Sequence, residues 1–160
     1  MKATTLASWE GRLRSLLTKL PPKMVVSRYS SGRLNFLDKL KVENPSRSYS
    51  PTSDLTRQLW GIDFRSPIMN AAGMFKNGEC YRMVATQGAG AYLGGTGTWN
   101  PRVGNEKEGI YLPFAPYPDS HSASNWLGLP NDGDEINSSR AKKLLRVAKT
   151  PIGWSIMGSP

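Results

Sequence analysis

Residues 66–97 read SPIMNAAGMFKNGECYRMVATQGAGAYLGGTG, and this stretch decides the fold. It predicts a short apolar strand over residues 67–71, then a helix, then a second apolar strand that begins at residue 91. Two buried strands joined through a helix form a right-handed βαβ unit, whose strands lie parallel in one sheet. The stretch therefore predicts an α/β fold.

The helix inside this unit has recognisable ends. Asn77 is the predicted N-terminal cap, and Tyr81, Val84 and Ala85 share one face at helical spacing. Gly88 is the predicted end, because glycine adopts left-handed backbone angles without strain.

Ligands of parallel α/β proteins bind beyond the carboxyl ends of the strands. In this sequence those ends carry Ala71, Ala72 and Gly73, then Lys76, and after the second strand Thr96. Small residues let a flat ring approach the backbone, while Lys76 offers a cation and Thr96 a hydroxyl. Taken alone, Lys76 is better explained as a solvated surface residue than as a ligand contact.

An amphipathic helix precedes this unit. Leucines and Trp9 recur at three- and four-residue steps between residues 6 and 20, and Pro21 and Pro22 stop the pattern. Such a helix fits two interpretations: residues 5–20 contact a membrane surface with Trp9 at the polar boundary, or they pack on protein.

Residues 27–58 predict a short helix around Phe36 and a linker over residues 44–51.

Secondary structure is also predicted outside residues 66–97. Residues 59–64 predict a short strand or hairpin, residues 134–148 a second helix, and residues 152–157 a third strand. Residues 98–134 predict an ordered, aromatic-rich loop that folds over the strand ends. Within this loop, Asn125 and Asn131 either hydrogen-bond a small polar ring or form turns.

Composition narrows the class of protein. Hydrophobic residues make up 38% of the chain, mean hydropathy is −0.45 and the only cysteine is Cys80, so we expect no disulfide, no cysteine-based metal site and a cytoplasmic location. The net charge is +9, and residues 1–60 hold 11 of the 21 basic but only 4 of the 12 acidic residues. This extension is either solvated or binds an anionic surface, membrane or RNA.

Several of these motifs, in order, resemble the dihydroorotate dehydrogenase family. Residues 59–67 (LWGIDFRSP) are similar to the lead-in to its first barrel strand, and residues 71–79 (AAGMFKNGE) to the glycine turn and lysine of its quinone-using class. Residues 95–96 and 100–105 continue that match. Residues 125–131 (NWLGLPN) and 151–159 instead resemble the soluble class, so the resemblance covers about residues 59–160.

The resemblance implies the N-terminal portion of a (β/α)8 TIM barrel over residues 59–160, preceded by a basic helical extension over residues 1–58. It implies FMN at the carboxyl face of the strands and oxidation of dihydroorotate to orotate in pyrimidine biosynthesis. The residues implied to contact FMN are Ala71, Ala72, Gly73, Lys76 and Thr96. Those implied to hold the substrate are Lys76, Asn125, Trp126, Leu127, Gly128 and Leu129.

The resemblance also has gaps. The family's catalytic base is a Ser or Cys on a later loop, and no motif in this sequence matches it. Cys80 lies in the first predicted helix and is not assigned that role. His121 is a lone histidine on a loop and is expected on the surface. The quinone class carries an asparagine near Ser155. Three strands cannot close an eight-stranded barrel, so we expect an N-terminal fragment that is inactive alone, unless a second polypeptide completes it.

The sequence leaves the substrate class, the electron acceptor and the oligomeric state open. A related FMN barrel that oxidises another dihydropyrimidine, and a non-catalytic basic module that binds membrane or RNA, are the alternatives to a dihydroorotate dehydrogenase. Nucleic acid is not the expected partner of the enzyme. The electron acceptor and the oligomeric state are left undecided by the sequence.

Overall fold

The computed structural model describes residues 1–43, 48–50, 54–144, 146–147 and 149–158. The chain divides into two compact units: Met1–Glu43 with Val103–Pro130, and Asn44–Arg102 with Asn131–Pro160. Residues 103–130 thus cluster with the N-terminal helices. The predicted division between residues 58 and 59 concerns sequence segments, and it stays a prediction.

The described elements follow one another in the order α1 Ala3–Leu17, α2 Pro22–Val42, β1 Arg57–Leu59, β2 Ile62–Phe64, α3 Tyr81–Thr86, β3 Tyr92–Gly97, β4 Phe114–Tyr117, β5 Ser122–Asn125, α4 Asp134–Lys143 and β6 Ile152–Ile156.

A parallel strand pair organises the second unit. β3 and β6 run parallel, with Tyr92 beside Ile152 and Gly95 beside Ser155. β1 and β2 form a separate antiparallel hairpin. The second and third predicted strands and the predicted hairpin at residues 59–64 are therefore confirmed.

The first predicted strand is reduced to a single bridge. Within residues 67–71 only Met69 pairs in a parallel bridge, with Ala91. One residue further along, the side chain of Asn70 replaces the backbone: its Nδ2 donates to the Leu93 carbonyl at 2.7 Å, and its Oδ1 accepts from the Leu93 N–H at 3.1 Å. The backbone ladder stops at Asn70 because its amide satisfies both groups of Leu93.

Two helix predictions also need correction. Asn77 does not cap α3, because this helix begins at Tyr81 after the left-handed Cys80, with no side-chain cap. The helix predicted over residues 134–148 ends at Lys143, after which Leu144 is extended. Residues 145 and 148 of that prediction lie outside the described residues.

Aromatic rings form the core of this unit. Tyr92 is fully buried, stacks on Phe75 with ring centroids 6.3 Å apart and meets Tyr81 edge-on at 5.5 Å. Its hydroxyl donates to the Glu79 carbonyl at 2.8 Å, and burial raises the pKa of Tyr92. The Tyr81 hydroxyl donates to the Thr150 carbonyl at 2.9 Å and so ties α3 to the segment before β6.

The first unit is built on a helical hairpin. α1 ends before Pro21, and Pro22 occupies the first turn of α2, where a missing N–H is tolerated. The Glu43 carboxylate accepts a 2.8 Å hydrogen bond from the Ala3 N–H at the start of α1. The amphipathic helix is confirmed. The helix predicted around Phe36 is also confirmed, but it was predicted too short, since α2 runs for 21 residues. Residues 44–47 and 51 of the predicted linker lie outside the described residues.

The predicted loop over residues 98–134 contains regular structure as well. β4 and β5 pair as an antiparallel hairpin, with Phe114 beside Asn125 and Tyr117 beside Ser122. Phe114 meets the ring of Tyr29 in α2 edge-on, with centroids 5.7 Å apart. The prediction of a loop was wrong here because Pro116 lies inside β4, and proline is uncommon within strands.

A polar cluster connects the two helices of this unit. Glu10 in α1 accepts hydrogen bonds from Arg14, at 2.8 and 2.5 Å, and from the Tyr29 hydroxyl at 2.8 Å. The bond from Arg14 holds the pKa of Glu10 below its usual value, although partial burial opposes this. Burial, reinforced by Glu10, raises the pKa of Tyr29 to about 12.

We predict a pH-dependent contribution of Glu10 to stability. A carboxyl whose pKa is lowered on folding stabilises the protein above its unfolded pKa of about 4.3, and this stabilisation is lost as the pH falls through the folded pKa. The cluster is partly exposed, so Glu10→Gln should lower the free energy of unfolding at pH 7 by about 0.5–1 kcal/mol. At pH 3 the difference from wild type should shrink, as measured by urea unfolding.

The matched control is Glu106→Gln, since Glu106 is exposed and lies away from the cluster. It should leave the unfolding curve unchanged at both pH values. An equal loss in both variants, or a loss for Glu10→Gln that does not vary with pH, would contradict the prediction.

Candidate functional site

Backbone hydrogen bonds hold the glycine turn at the carboxyl end of β3. The Gly73 N–H donates to the Gly95 carbonyl at 2.6 Å, and the Gly95 N–H donates to the Lys76 carbonyl at 3.1 Å. The turn containing Ala71, Ala72, Gly73 and Lys76 is thus fixed to the strand that carries Thr96. The structure brings these five sequence-predicted residues into one part of the second unit.

Their exposure differs in a way that matters for ligand binding. Ala71 is exposed, whereas Ala72, Gly73, Lys76 and Thr96 are half-buried. A Cβ placed on Gly73 would meet no atom of the described residues within 4 Å. Open space therefore adjoins the backbone at this turn, as a flat ligand would require.

An aromatic ring of the protein itself also packs against the backbone of β3. The indole of Trp154 in β6 lies over β3, and a Cβ on Gly94 would come within 2.6 Å of its ring atoms. Gly95, with φ +88°, brings its Cα so close to the Ser155 carbonyl oxygen that a Cβ would overlap that atom. The absence of a side chain at Gly94 is therefore explained by the Trp154 indole, and that at Gly95 by the Ser155 carbonyl.

Asn131 has a structural role. Its buried Oδ1 accepts hydrogen bonds from the Thr98 N–H at 3.2 Å and the Gly133 N–H at 2.9 Å. Its Nδ2 donates to the Thr98 hydroxyl at 2.9 Å. Of the two interpretations of Asn131, the turn-forming one is confirmed, because the amide joins the end of β3 to the start of α4.

The predicted substrate residues other than Lys76, residues 125–129, belong to the first unit. Asn125 ends β5 and is exposed, Trp126 is 46% exposed and Leu127 is buried. Asn105 packs on this segment: its N–H donates to the Leu127 carbonyl at 2.9 Å and its Nδ2 to the Trp126 carbonyl at 2.8 Å. A contact of residues 125–129 with substrate stays a prediction.

Gly128 and Leu129 complete that segment. Both take left-handed backbone angles, φ +71° and φ +56°. A Cβ on Gly128 would lie 2.7 Å from the side chain of Asn105. The turn is therefore held by Asn105, a residue that sequence reasoning noted only as part of a family motif.

The first unit also contains an apolar groove that the sequence did not predict. It measures about 630 Å³ and lies between the start of α2 and the β4–β5 hairpin. Trp126 closes one side and also lines an adjacent groove of about 480 Å³. The residues shared by the two grooves are Pro22, Val26 and Trp126. The only sequence signal was the row of valines and prolines in residues 21–26.

These features define an α/β protein with a candidate site at the carboxyl ends of parallel strands. The sequence profile of the dihydroorotate dehydrogenase family matches residues 54–159. The chain therefore belongs to the dihydroorotate dehydrogenase family, as the motif resemblance predicted.

Individual relatives agree with this assignment. The dihydroorotate dehydrogenase (quinone) of Methylococcus capsulatus is 34% identical over 125 residues, which cover 78% of this chain and 35% of that protein. The enzyme of the same name from Stutzerimonas stutzeri is 35% identical over 83 residues, which cover 52% of this chain and 23% of that protein.

A solved structure agrees at the level of the fold. The dihydroorotate dehydrogenase of Eimeria tenella, in complex with ferulenol, superposes with a TM-score of 0.56 at 23% identity, over 88% of this chain and 36% of that one. The chain thus spans about a third of the length of the relatives it matches.

We predict that Gly94 is required by the Trp154 contact. Gly94→Ala places a methyl group inside the indole ring, and overpacking of this kind costs about 1–3 kcal/mol. Urea unfolding should therefore show a lower midpoint for Gly94→Ala. Gly158→Ala is the control, because a Cβ there meets no atom within 4 Å, and equal midpoints for the two variants would refute the prediction.

Proposed function

We propose that this chain contributes the first strands of a (β/α)8 barrel in an FMN-dependent enzyme that oxidises dihydroorotate to orotate. The observation that carries the proposal is the backbone-held turn of Gly73 and Lys76 beside Thr96, in a chain of the dihydroorotate dehydrogenase family. The parallel β3–β6 pair supports the barrel assignment, since barrel strands are parallel and carry ligands at their carboxyl ends.

The residues present fit a flavin. Open space adjoins Gly73, and the neighbouring Ala71 and Ala72 carry only methyl side chains, so we expect a flat ring to approach the backbone at this turn. The half-buried hydroxyl of Thr96 can hydrogen-bond a ring heteroatom. When bound, FMN supplies the acceptor for two electrons from the dihydropyrimidine, and these residues supply binding and orientation.

Lys76 is proposed to act by charge. The residue is half-buried, and its backbone carbonyl is hydrogen-bonded to Gly95 of β3. A cation in such a position pairs with the carboxylate of dihydroorotate and favours an electron-rich flavin ring. Charge-assisted hydrogen bonds are stronger than neutral ones, so Lys76 should contribute more to binding than Thr96.

Asn125 is proposed to hydrogen-bond the polar edge of the pyrimidine, within the segment that ends at Leu129. The relatives' names favour dihydroorotate over another dihydropyrimidine. Membership of an enzyme family also favours catalysis over the alternative of a basic binding module. Competition by orotate in the complete enzyme distinguishes between the two dihydropyrimidine substrates.

Quinone is the electron acceptor that we propose. The matched relatives are named for quinone, and the apolar groove beside Trp126 has the size and lining for a small, flat, apolar ring. No charged side chain except Asp119 lines it among the described residues.

Contact of residues 5–20 with a membrane surface stays a proposal. α1 leaves Trp9, Leu13 and Leu16 exposed, while Leu6 and Leu17 are half-buried. None of the helices in the described part of the chain has the length and apolarity that spanning a bilayer requires. The exposed side of α1 fits peripheral contact, in which apolar side chains enter the headgroup region.

The first test is FMN binding by the 160-residue chain, measured by quenching of flavin fluorescence. We expect binding by wild type and roughly 10- to 150-fold weaker binding by Lys76→Met, since a hydrogen bond to a charged group contributes about 1.5–3 kcal/mol. Dihydroorotate-dependent dye reduction is not expected from these residues alone, because none matches the family's catalytic base.

Lys107→Met is the control, since Lys107 is exposed in the other unit. It should bind FMN as wild type does. Failure of the wild-type chain to bind FMN, or equal affinity of the Lys76 variant, would refute the FMN assignment. Turnover by the 160 residues would overturn the expected inactivity.

The second test concerns the acceptor groove. A short-chain ubiquinone analogue should quench tryptophan fluorescence, and Trp126→Phe should remove most of this quenching because Trp126 lines the groove. Trp60→Phe is the control, since Trp60 is 89% exposed and belongs to the β1–β2 turn. Quenching that survives in Trp126→Phe but not in Trp60→Phe would place the quinone elsewhere.

A further inference from the structure

Two hydroxyl groups meet at the carboxyl ends of β3 and β6. The Thr96 Oγ1 and the Ser155 Oγ are 2.9 Å apart, and both residues are half-buried. Thr96 is a proposed FMN contact, and Ser155 lies near the position where, by the resemblance, the quinone class carries an asparagine. The side chain of serine is shorter than that of asparagine. The role of Ser155 is therefore inferred from its contact with the Thr96 hydroxyl.

A register shift makes this contact possible. Gly95 pairs with Ser155, but the next pair is Gly97 with Ile156, so Thr96 has no partner across the ladder. In an uninterrupted register Thr96 would lie beside Ile156, and its side chain would point to the face opposite Ser155. The extra residue instead turns the Thr96 hydroxyl towards Ser155, as irregularities in strands near active sites often do.

Gly95 is what permits the shift. Its φ of +88° lies in the region that favours glycine, and a Cβ would overlap the Ser155 carbonyl oxygen. The same residue accepts the hydrogen bond from Gly73 and donates to Lys76. The position of the hydroxyl pair is therefore tied to the turn that carries the other proposed FMN contacts.

A hydroxyl has one proton and two lone pairs. In this pair one oxygen donates and the other accepts, so the partner determines which way the Thr96 proton points. If Ser155 donates to Thr96, the Thr96 proton is available for an acceptor atom on a ligand.

We propose that Ser155 is a positioning residue: it donates to Thr96 and so directs the Thr96 hydroxyl proton towards a heteroatom of the flavin. This inference rests on the proposed FMN-binding function. Ser155 acts through Thr96 and does not itself contact the ring. The serine thus performs a different task from the amide that the quinone class carries near this position.

The test is a double-mutant cycle on FMN binding. Ser155→Ala should weaken FMN binding about three- to tenfold, the range expected for one hydrogen bond. Ser155→Thr, which keeps the hydroxyl, should restore most of the affinity. In a Thr96→Val background, Ser155→Ala should have no further effect, because the hydroxyl that it orients is absent.

Two further measurements separate positioning from a merely structural role. The visible absorption bands of bound FMN should shift in Ser155→Ala and return in Ser155→Thr, whereas loss of packing alone would leave the bands of the bound fraction unchanged. Ser139→Ala, an exposed serine in α4, is the matched control and should change neither affinity nor spectrum. Urea unfolding of each variant without FMN verifies that the chain is folded.

The outcomes are distinct. If wild type does not bind FMN, the proposed function and this inference both fail. If wild type binds FMN but Ser155→Ala binds it equally, or its effect adds fully to that of Thr96→Val, only the positioning role is overturned. Equal weakening by Ser155→Ala and Ser155→Thr would likewise overturn it.

Discussion

The close approach of β3 and β6 is the constraint on which the second unit depends. Trp154 packs its indole directly on the backbone at Gly94, and the Ser155 carbonyl lies against Gly95. A side chain on Gly94 would displace the indole, and one on Gly95 would overlap the Ser155 carbonyl oxygen. Because the Gly95 carbonyl and N–H also bind Gly73 and Lys76, the same approach determines where the glycine turn lies and hence the shape of the candidate site.

Side-chain amides complete this arrangement at both ends of β3. Asn70 satisfies the backbone of Leu93 where the first strand stops, and Asn131 satisfies Thr98 and Gly133 where α4 begins. A buried N–H or carbonyl without a partner costs about 1–3 kcal/mol, so each amide permits the chain to leave the ladder at that point. The site thus lies in irregular backbone that is nevertheless fully hydrogen-bonded at these positions.

Sequence reasoning succeeded where the signal was local. The βαβ order, the hairpin at residues 59–64 and the amphipathic α1 follow from periodicity and from glycine and proline positions. It failed where tertiary contacts override local preference: β4 forms although it contains Pro116, and α2 runs through residues 27–42, which show little periodicity. The first predicted strand shrank to one bridge because the Asn70 side chain, and not the backbone, pairs with Leu93.

The amino-acid sequence by itself determined the family and the identity of the candidate site residues, because the glycine turn, Lys76 and Thr96 lie at motif positions that can be read without coordinates. Only the tertiary structure decided what each small residue is for. It placed the Trp154 indole on Gly94, joined Ser155 to Thr96 through a register shift and grouped residues 103–130 with the N-terminal helices. These outcomes depend on contacts between residues far apart in the chain, and periodicity within a segment carries no information about such contacts.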